Sequence, residues 1–152
     1  MFPEDKVAAA REVLRVLKLG GRVGYIVWGP YDENPPFFVI RCAIAKAMEH
    51  EEGAVLHRHS LGQPGQLSEI LNAAGFSKVV EHEMRYKRPV DDLDDYINRA
   101  LIRGYSETVD KLDDEGRDAL MDTLRAAFEP YREDGLVMMP NYARLGLGWK
   151  PA

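Results

Sequence analysis

Residues Phe2 to Pro30 read FPEDKVAAAREVLRVLKLGGRVGYIVWGP. Pro3 suits a first helical position, and Glu4 and Asp5 favour the positive end of a helix. Val7, Ala10, Leu14 and Leu17 then recur at helical spacing, which predicts an amphipathic helix over residues 3–18 with one stripe against a sheet. Gly20-Gly21 stops it. From Arg22 to Trp28 the chain is apolar on nearly every residue, which predicts a strand buried on both faces, the habit of a parallel strand inside an α/β sheet.

Outward from that block, GPYDENPP is a loop by its Gly, Pro, Asp and Asn content. Phe37 to about Met48 reads as an apolar helix, followed by a polar loop with His57, Arg58, His59 and Gly62. Pro64 opens a further helix, QLSEILNAAG, that Gly75 terminates. Val80, His82, Met84 and Tyr86 alternate with Glu81, Glu83, Arg85 and Lys87, the pattern of a half-buried edge strand that Pro89 ends. Two helices are predicted next, from Asp91 to about Arg103 and from Asp113 to about Tyr131, the second with a stripe of Leu120, Leu124, Phe128 and Tyr131. Ala143, Leu145, Leu147 and Trp149 then mark a closing strand by their alternation. The acidic runs at Asp91-Asp92, Asp94-Asp95 and Asp113-Asp114-Glu115 read as charge at helix N-termini rather than as paired catalytic carboxylates.

The turn Leu17-Lys18-Leu19-Gly20-Gly21 resembles the "LKPGG" turn of class I S-adenosylmethionine-dependent methyltransferases, with Leu19 where that family usually has proline. LGQPGQLSEILNAAGFSKV is similar to the family's block of proline, acidic helix, AAGF and strand, and GLVMMPNYARLGLGWKP to its final strand. The resemblance covers essentially the whole chain. It implies the C-terminal half of the fold: a partial Rossmann-like α/β domain over 1–152 with a three-stranded mixed sheet and a two-helix insertion at about 91–134. The last strand would insert antiparallel between the buried strand and the edge strand, giving the spatial order first, third, second.

The resemblance also implies a cofactor, S-adenosylmethionine, cradled in the family by a glycine-rich loop between a strand and a helix. The 152 residues hold no such loop. Their GxG, Gly146 to Gly148, lies in the closing strand, where glycine leaves room for bulky neighbours. The cofactor is therefore expected to bind weakly, or not at all, to this chain alone.

Composition narrows the partners. With 45% hydrophobic and 30% charged residues the chain is an ordinary globular sequence, and a net charge of −5 argues against a surface that tracks phosphates. No nucleic-acid partner is expected. The single cysteine, Cys42, excludes an intramolecular disulfide and reads as a small core residue of its helix. Neither a secretion signal nor a membrane span is visible, so a cytoplasmic location is expected. His57 and His59, with His50 and His82, lack the supporting Cys or carboxylate spacing of a metal site and read as a solvated loop. GxSxG is absent.

In open α/β sheets ligands gather beyond the carboxyl ends of the strands. That rule makes Trp28, Tyr31, Asn34, Phe37 and Phe38 candidate substrate-binding residues, with Arg41 one helical turn further on as their polar neighbour. By resemblance this is where such enzymes shape the pocket for a small-molecule methyl acceptor, with the helical insertion as its lid. Strand 22–28 has no charge after Arg22 and no proline to protect an edge. A homodimer, or pairing with a cofactor-binding partner, is expected through strand 22–28 and helix 3–18. The alternative is a non-catalytic ligand-binding or assembly module built on the same fold.

Overall fold

The computed structural model describes residues 3–49 and 57–152. Helices α1 (Lys6–Val16), α2 (Pro35–Ala47), α3 (Gln66–Ala74), α4 (Leu93–Val109) and α5 (Asp114–Phe128) alternate with strands β1 (Arg22–Trp28), β2 (Ser77–Val90), β3 (Arg132–Glu133) and β4 (Leu136–Trp149). The fold is α/β, and its sheet has the order β1-β4-β2, with β3 pairing β4 off that path. β4 runs antiparallel to β1, from Arg22 opposite Trp149 to Trp28 opposite Ala143. This is the order that the methyltransferase resemblance implies. The sheet has four strands rather than three because Asp134-Gly135 turns the chain back within two residues. Both have positive φ, 48° and 84°, the geometry that a tight Asp-Gly hairpin demands.

The residues fall into two compact units. The first comprises residues 3–33, 57–85 and 142–152. Here α1 starts at Lys6 rather than Pro3, because the Asp5 carboxylate caps it by accepting the Ala8 amide at 2.8 Å. At its other end Lys150 Nζ donates to the carbonyls of Arg15 and Leu17, a cation on the negative end of the helix. The expected stripe of Val7, Ala10, Leu14 and Leu17 packs with Leu71, Ala74 and Phe76 of the α3 region and with Val23, Tyr25 and Val79 of the sheet. Gly146 and Gly148 let α3 approach: a Cβ there would stand 3.0 Å from Leu67 and 2.9 Å from Phe76. Gly75 closes α3 in the left-handed conformation.

Two strands differ from their sequence reading. β1 is half covered rather than buried on both faces: Val23 and Tyr25 meet the helices, whereas the next residue, Ile26, is 64% exposed. β2 turns its other face inward, with Val79 in the core and the Glu81 side chain buried, while Val80 and His82 are exposed. It also runs through Pro89 to Val90; an edge strand tolerates a missing amide.

The second unit comprises residues 34–49 and 86–141. Its core joins Val39, Ile40, Ala43 and Ile44 of α2 to Ile97 and Leu101 of α4, Leu120, Leu124 and Phe128 of α5, and Val137 and Met139 of β4. Asp92 and Asp113 cap α4 and α5 with bonds to Asp95 N and Gly116 N, so two of the acidic residues do serve helix starts. Arg125 of α5 fixes α4 by binding Asp94 through both oxygens, at 2.8 and 2.9 Å. Cys42 is exposed, not a core residue: α2 buries Val39, Ile40, Ala43 and Ile44, and Cys42 falls between them on the outer side. No helix among the described residues is long and apolar enough to cross a membrane.

Candidate functional site

β1 ends at Trp28, and its continuation Gly29-Pro30-Tyr31 is held in the first unit by three contacts. From β4, the Tyr142 carbonyl accepts Gly29 N at 2.8 Å, and the Tyr142 ring lies so close that a Cβ on residue 29 would stand 2.7 Å from it. From the turn after His57–His59, Gly62 abuts the backbone of Gly29 and Pro30; a Cβ there would meet Gly29 C and O at 2.7 Å. The third contact is chemical. His59 Nδ1 lies 3.0 Å from the Gly29 carbonyl oxygen, and a carbonyl can only accept, so Nδ1 carries the hydrogen and Nε2 of the neutral ring carries the lone pair.

His59 is buried and stands edge-on to Tyr31, with ring centres 5.4 Å apart. Burial pulls its pKa below the ordinary histidine value, as does the neighbouring charge of Arg58, against the opposing effect of the Gly29 bond. The folded ring is thus neutral at pH 7. An unfolded ring takes up a proton near 6.5, which the folded ring resists, so stability should fall as pH drops from about 6.5 and be indifferent to this group above it. Denaturant unfolding between about pH 8 and pH 5.5 should show that slope, and His59→Gln should reduce it. An unchanged slope in the variant would disprove the assignment.

Beside this turn lies a chain of charges. Arg144, whose side chain is 5% exposed, donates through Nε to Glu81 Oε1 at 2.5 Å, the Glu81 side chain being 6% exposed. Arg144 Nη1 also donates to the Tyr142 hydroxyl oxygen, and that hydroxyl donates to Glu83 at 2.9 Å. Burial first, and then the bond to the Glu83 carboxylate, push the Tyr142 phenol up. Arg85 stacks 3.8 Å over the Tyr142 ring and reaches Glu33 at 2.6 Å, tying the turn Tyr31–Glu33 to β2. Glu81 completes the series by accepting Gly65 N, Ser68 N and Ser68 Oγ at the start of α3. Burial raises its pKa, but the bonds from Arg144, Ser68 and Gly65 outweigh that and hold it below the usual carboxylate range.

The six residues singled out from sequence divide between the units. Trp28 and Tyr31 belong to the first, where Tyr31 meets His59. Asn34, Phe37, Phe38 and Arg41 belong to the second. Asn34 is fully buried at the head of α2, its carbonyl accepting Phe37 N at 2.9 Å, and Phe38 packs on that unit's core. Sequence reasoning placed His59 in a solvated loop and missed Tyr142, Arg144, Glu81 and Arg85. For His59 the available signal was Gly62, three residues on, since glycine is the residue that allows a close backbone approach.

The chain is similar in structure to several solved proteins. One is a protein assigned as a methyltransferase from Bacillus halodurans C-125, 18% identical with a TM-score of 0.42, with 96% of this chain matching 58% of that one. Another is phosphoethanolamine N-methyltransferase 2 of Haemonchus contortus, solved with phosphomonomethylethanolamine and S-adenosylhomocysteine, 13% identical with a TM-score of 0.41, covering 97% of this chain and 31% of that one. The YcgJ protein of Bacillus subtilis is 19% identical with a TM-score of 0.41, covering 98% and 59%. The chain therefore spans less than two thirds of the length of these proteins. No protein-family profile matches the sequence, and no curated protein does.

Proposed function

We propose that this chain is the acceptor-side half of an S-adenosylmethionine-dependent methyltransferase acting on a small molecule, with the cofactor cradle supplied by polypeptide outside these residues. The observation that carries the reading is the strand order β1-β4-β2, in which an antiparallel strand is inserted beside β1. The motifs at Leu17 to Gly21 and Leu61 to Val79 resemble the family's at the same places in that order. Trp28 and Tyr31 in the first unit are proposed as acceptor-binding residues, and Asn34, Phe37, Phe38 and Arg41 are proposed for the same role within the second. His59 and Tyr142 are added to them for their contacts with the turn after β1. His59 contributes a neutral lone pair, Tyr31 and Tyr142 contribute ring surface, and the Arg85 bridge to Glu33 holds the turn in place.

Two measurements test the reading. S-adenosylhomocysteine titrated calorimetrically into the purified chain should bind more weakly than about 100 μM, because a cradle of backbone amides at a helix N-terminus is missing from the sequence. Micromolar binding to the chain alone would overturn the division of labour. The reading frame on its 5′ side should encode a glycine-rich strand–loop–helix. A non-catalytic binding or assembly module is favoured instead if no such sequence lies there.

The proposed partner contact is the edge of β1 together with α1, made with the cofactor-binding polypeptide or with a second copy. Ile26→Pro should weaken that association by removing an edge hydrogen bond: Gly29 N bonds the Tyr142 carbonyl of β4, so the amides of the even-numbered residues of β1 point to the free edge. A chain that light scattering finds monomeric at high micromolar concentration, with or without its cofactor half, would exclude this contact.

A further inference from the structure

The half-exposed sheet of the first unit has a chemistry of its own. Val23 and Tyr25 of β1, Val79 of β2 and the Gly146 and Gly148 positions of β4 face α1 and α3. Strand alternation therefore puts Arg22, Gly24, Ile26 and Trp28 of β1 on the opposite face. The register sets Gly24 opposite Leu147, Ile26 opposite Leu145 and Arg22 opposite Trp149. A Cβ on Gly24 would touch Leu147 at 3.2 Å and Leu145 at 3.7 Å, so both leucines do lie on that face. Val80 and His82 of β2 follow by alternation from Val79 and Glu81. Ile26 is 64% exposed and Val80 40% exposed, while Leu145, Leu147 and Trp149 are each half-buried.

This is an apolar surface with a shallow notch at Gly24, and among the described residues the side chains charged at its margin, Arg22 and Lys78, are basic. Arg22 and Lys78 are exposed at one end of the three strands, and His82 lies further along. The β2 carboxylates are engaged away from this face: Glu81 binds Arg144 and the start of α3, and Glu83 binds Tyr142 and Arg85. In a chain of net charge −5 that is a local reversal. Seven strand residues span about 23 Å, the length of a helix of about fifteen residues.

We propose that this face docks an amphipathic α-helix of a partner protein, its apolar stripe seated over Gly24, Ile26, Leu145 and Leu147 and its flanks acidic toward Arg22 and Lys78. An apolar sheet face is stable only when another layer covers it, and a basic rim selects an acidic flank. The inference stands on the surface alone and does not need the methyltransferase reading. With two basic residues on an acidic chain, the surface suits a helix better than an anionic membrane, whose attraction grows with each added Lys or Arg.

Both tryptophans of the chain, Trp28 and Trp149, lie on this face by alternation, so they report on its cover. The test titrates the full chain with a tryptophan-free helical peptide of about 18 residues, one leucine stripe flanked by glutamates, against a twin flanked by lysines. A saturable blue shift with the glutamate peptide, at least about tenfold tighter than with the lysine twin, is expected. Ile26→Asp and Val80→Asp should each abolish it, with unchanged circular dichroism because both side chains are exposed. The combined Arg22→Glu and Lys78→Glu variant should reverse the preference between the peptides. Equal affinity for the two peptides, or no shift with either, would overturn the proposal. So would a shift produced by phosphatidylserine vesicles and not by the peptide, or self-association that Val80→Asp dissolves.

Discussion

Glu81→Ala is expected to cost about 3–5 kcal/mol, enough to unfold much of the chain at ambient temperature. The substitution strands the Arg144 guanidinium, buried and without its principal counter-charge, and it removes the acceptor for three donors at the head of α3. α3 has glycine, not a capping side chain, at its N-cap, so Glu81 supplies across space what Ser or Asp would supply locally. Denaturant unfolding of Glu81→Ala and of the double variant Glu81→Leu/Arg144→Met separates the two contributions. The double variant should recover most of the loss, because an apolar pair replaces an ion pair with little penalty. About 1–2 kcal/mol should persist for the amides of Gly65 and Ser68. Equal losses in both variants would show that the ion pair itself matters little. The sign of the acid dependence follows: the folded pKa of Glu81 is depressed, so its contribution is complete above the ordinary carboxylate value of 4.5 and is lost as pH falls through the lower folded one.

Gly62→Ala is expected to be the second most damaging single change, at about 1–3 kcal/mol or more. The added methyl would stand 2.7 Å from Gly29 C and O and 2.8 Å from Pro30 N, and these are backbone atoms that cannot swing aside. The displaced element would be the turn after β1, so the nuclear magnetic resonance signal of the His59 ring should move even in a variant that remains folded. Gly104→Ala is the control: a Cβ there has nothing within 4 Å, and replacing glycine inside a helix should be neutral or mildly stabilising. If Gly62→Ala unfolds no more readily than Gly104→Ala, the close approach at Gly29 does not constrain the fold.

The helices and strands were legible where hydrophobic period and glycine agreed. Leu14 and Leu17 followed by Gly20-Gly21 fixed the passage from α1 to β1, and Gly75 fixed the end of α3. Strand order was legible through the family resemblance and not through the residues themselves, because pairing between distant strands leaves no local periodicity. β2 shows what hydropathy hides. Its apolar residues Val80, Met84 and Tyr86 pointed to one face, yet the core side holds Glu81, whose charge is answered by Arg144 and the α3 amides. A satisfied buried charge looks, in sequence, like a solvated one. Lys78, with φ of 51°, also breaks the regular alternation just before this stretch. The Asp134-Gly135 hairpin carried a usable signal, but its two-residue arm β3 is too short to show a pattern. For the candidate site, topology singled out the aromatic residues after β1. His59, Tyr142 and Arg144 escaped that reading, because each makes its contacts with residues far away in the chain.

The central position of β4 bears on how this protein is made. β1 is complete once residue 28 leaves the ribosome, yet its hydrogen-bonding neighbour is residues 143–149. Throughout the synthesis of everything between, the edge of β1 that faces β4 waits for its partner. Closing so long a loop is slow, and topologies dominated by such distant pairings fold late. That waiting edge is meanwhile a template for the wrong chain. Yield in the cell should therefore depend on translation speed and on chaperones that shield strand 22–28, more than on the stability of the finished fold.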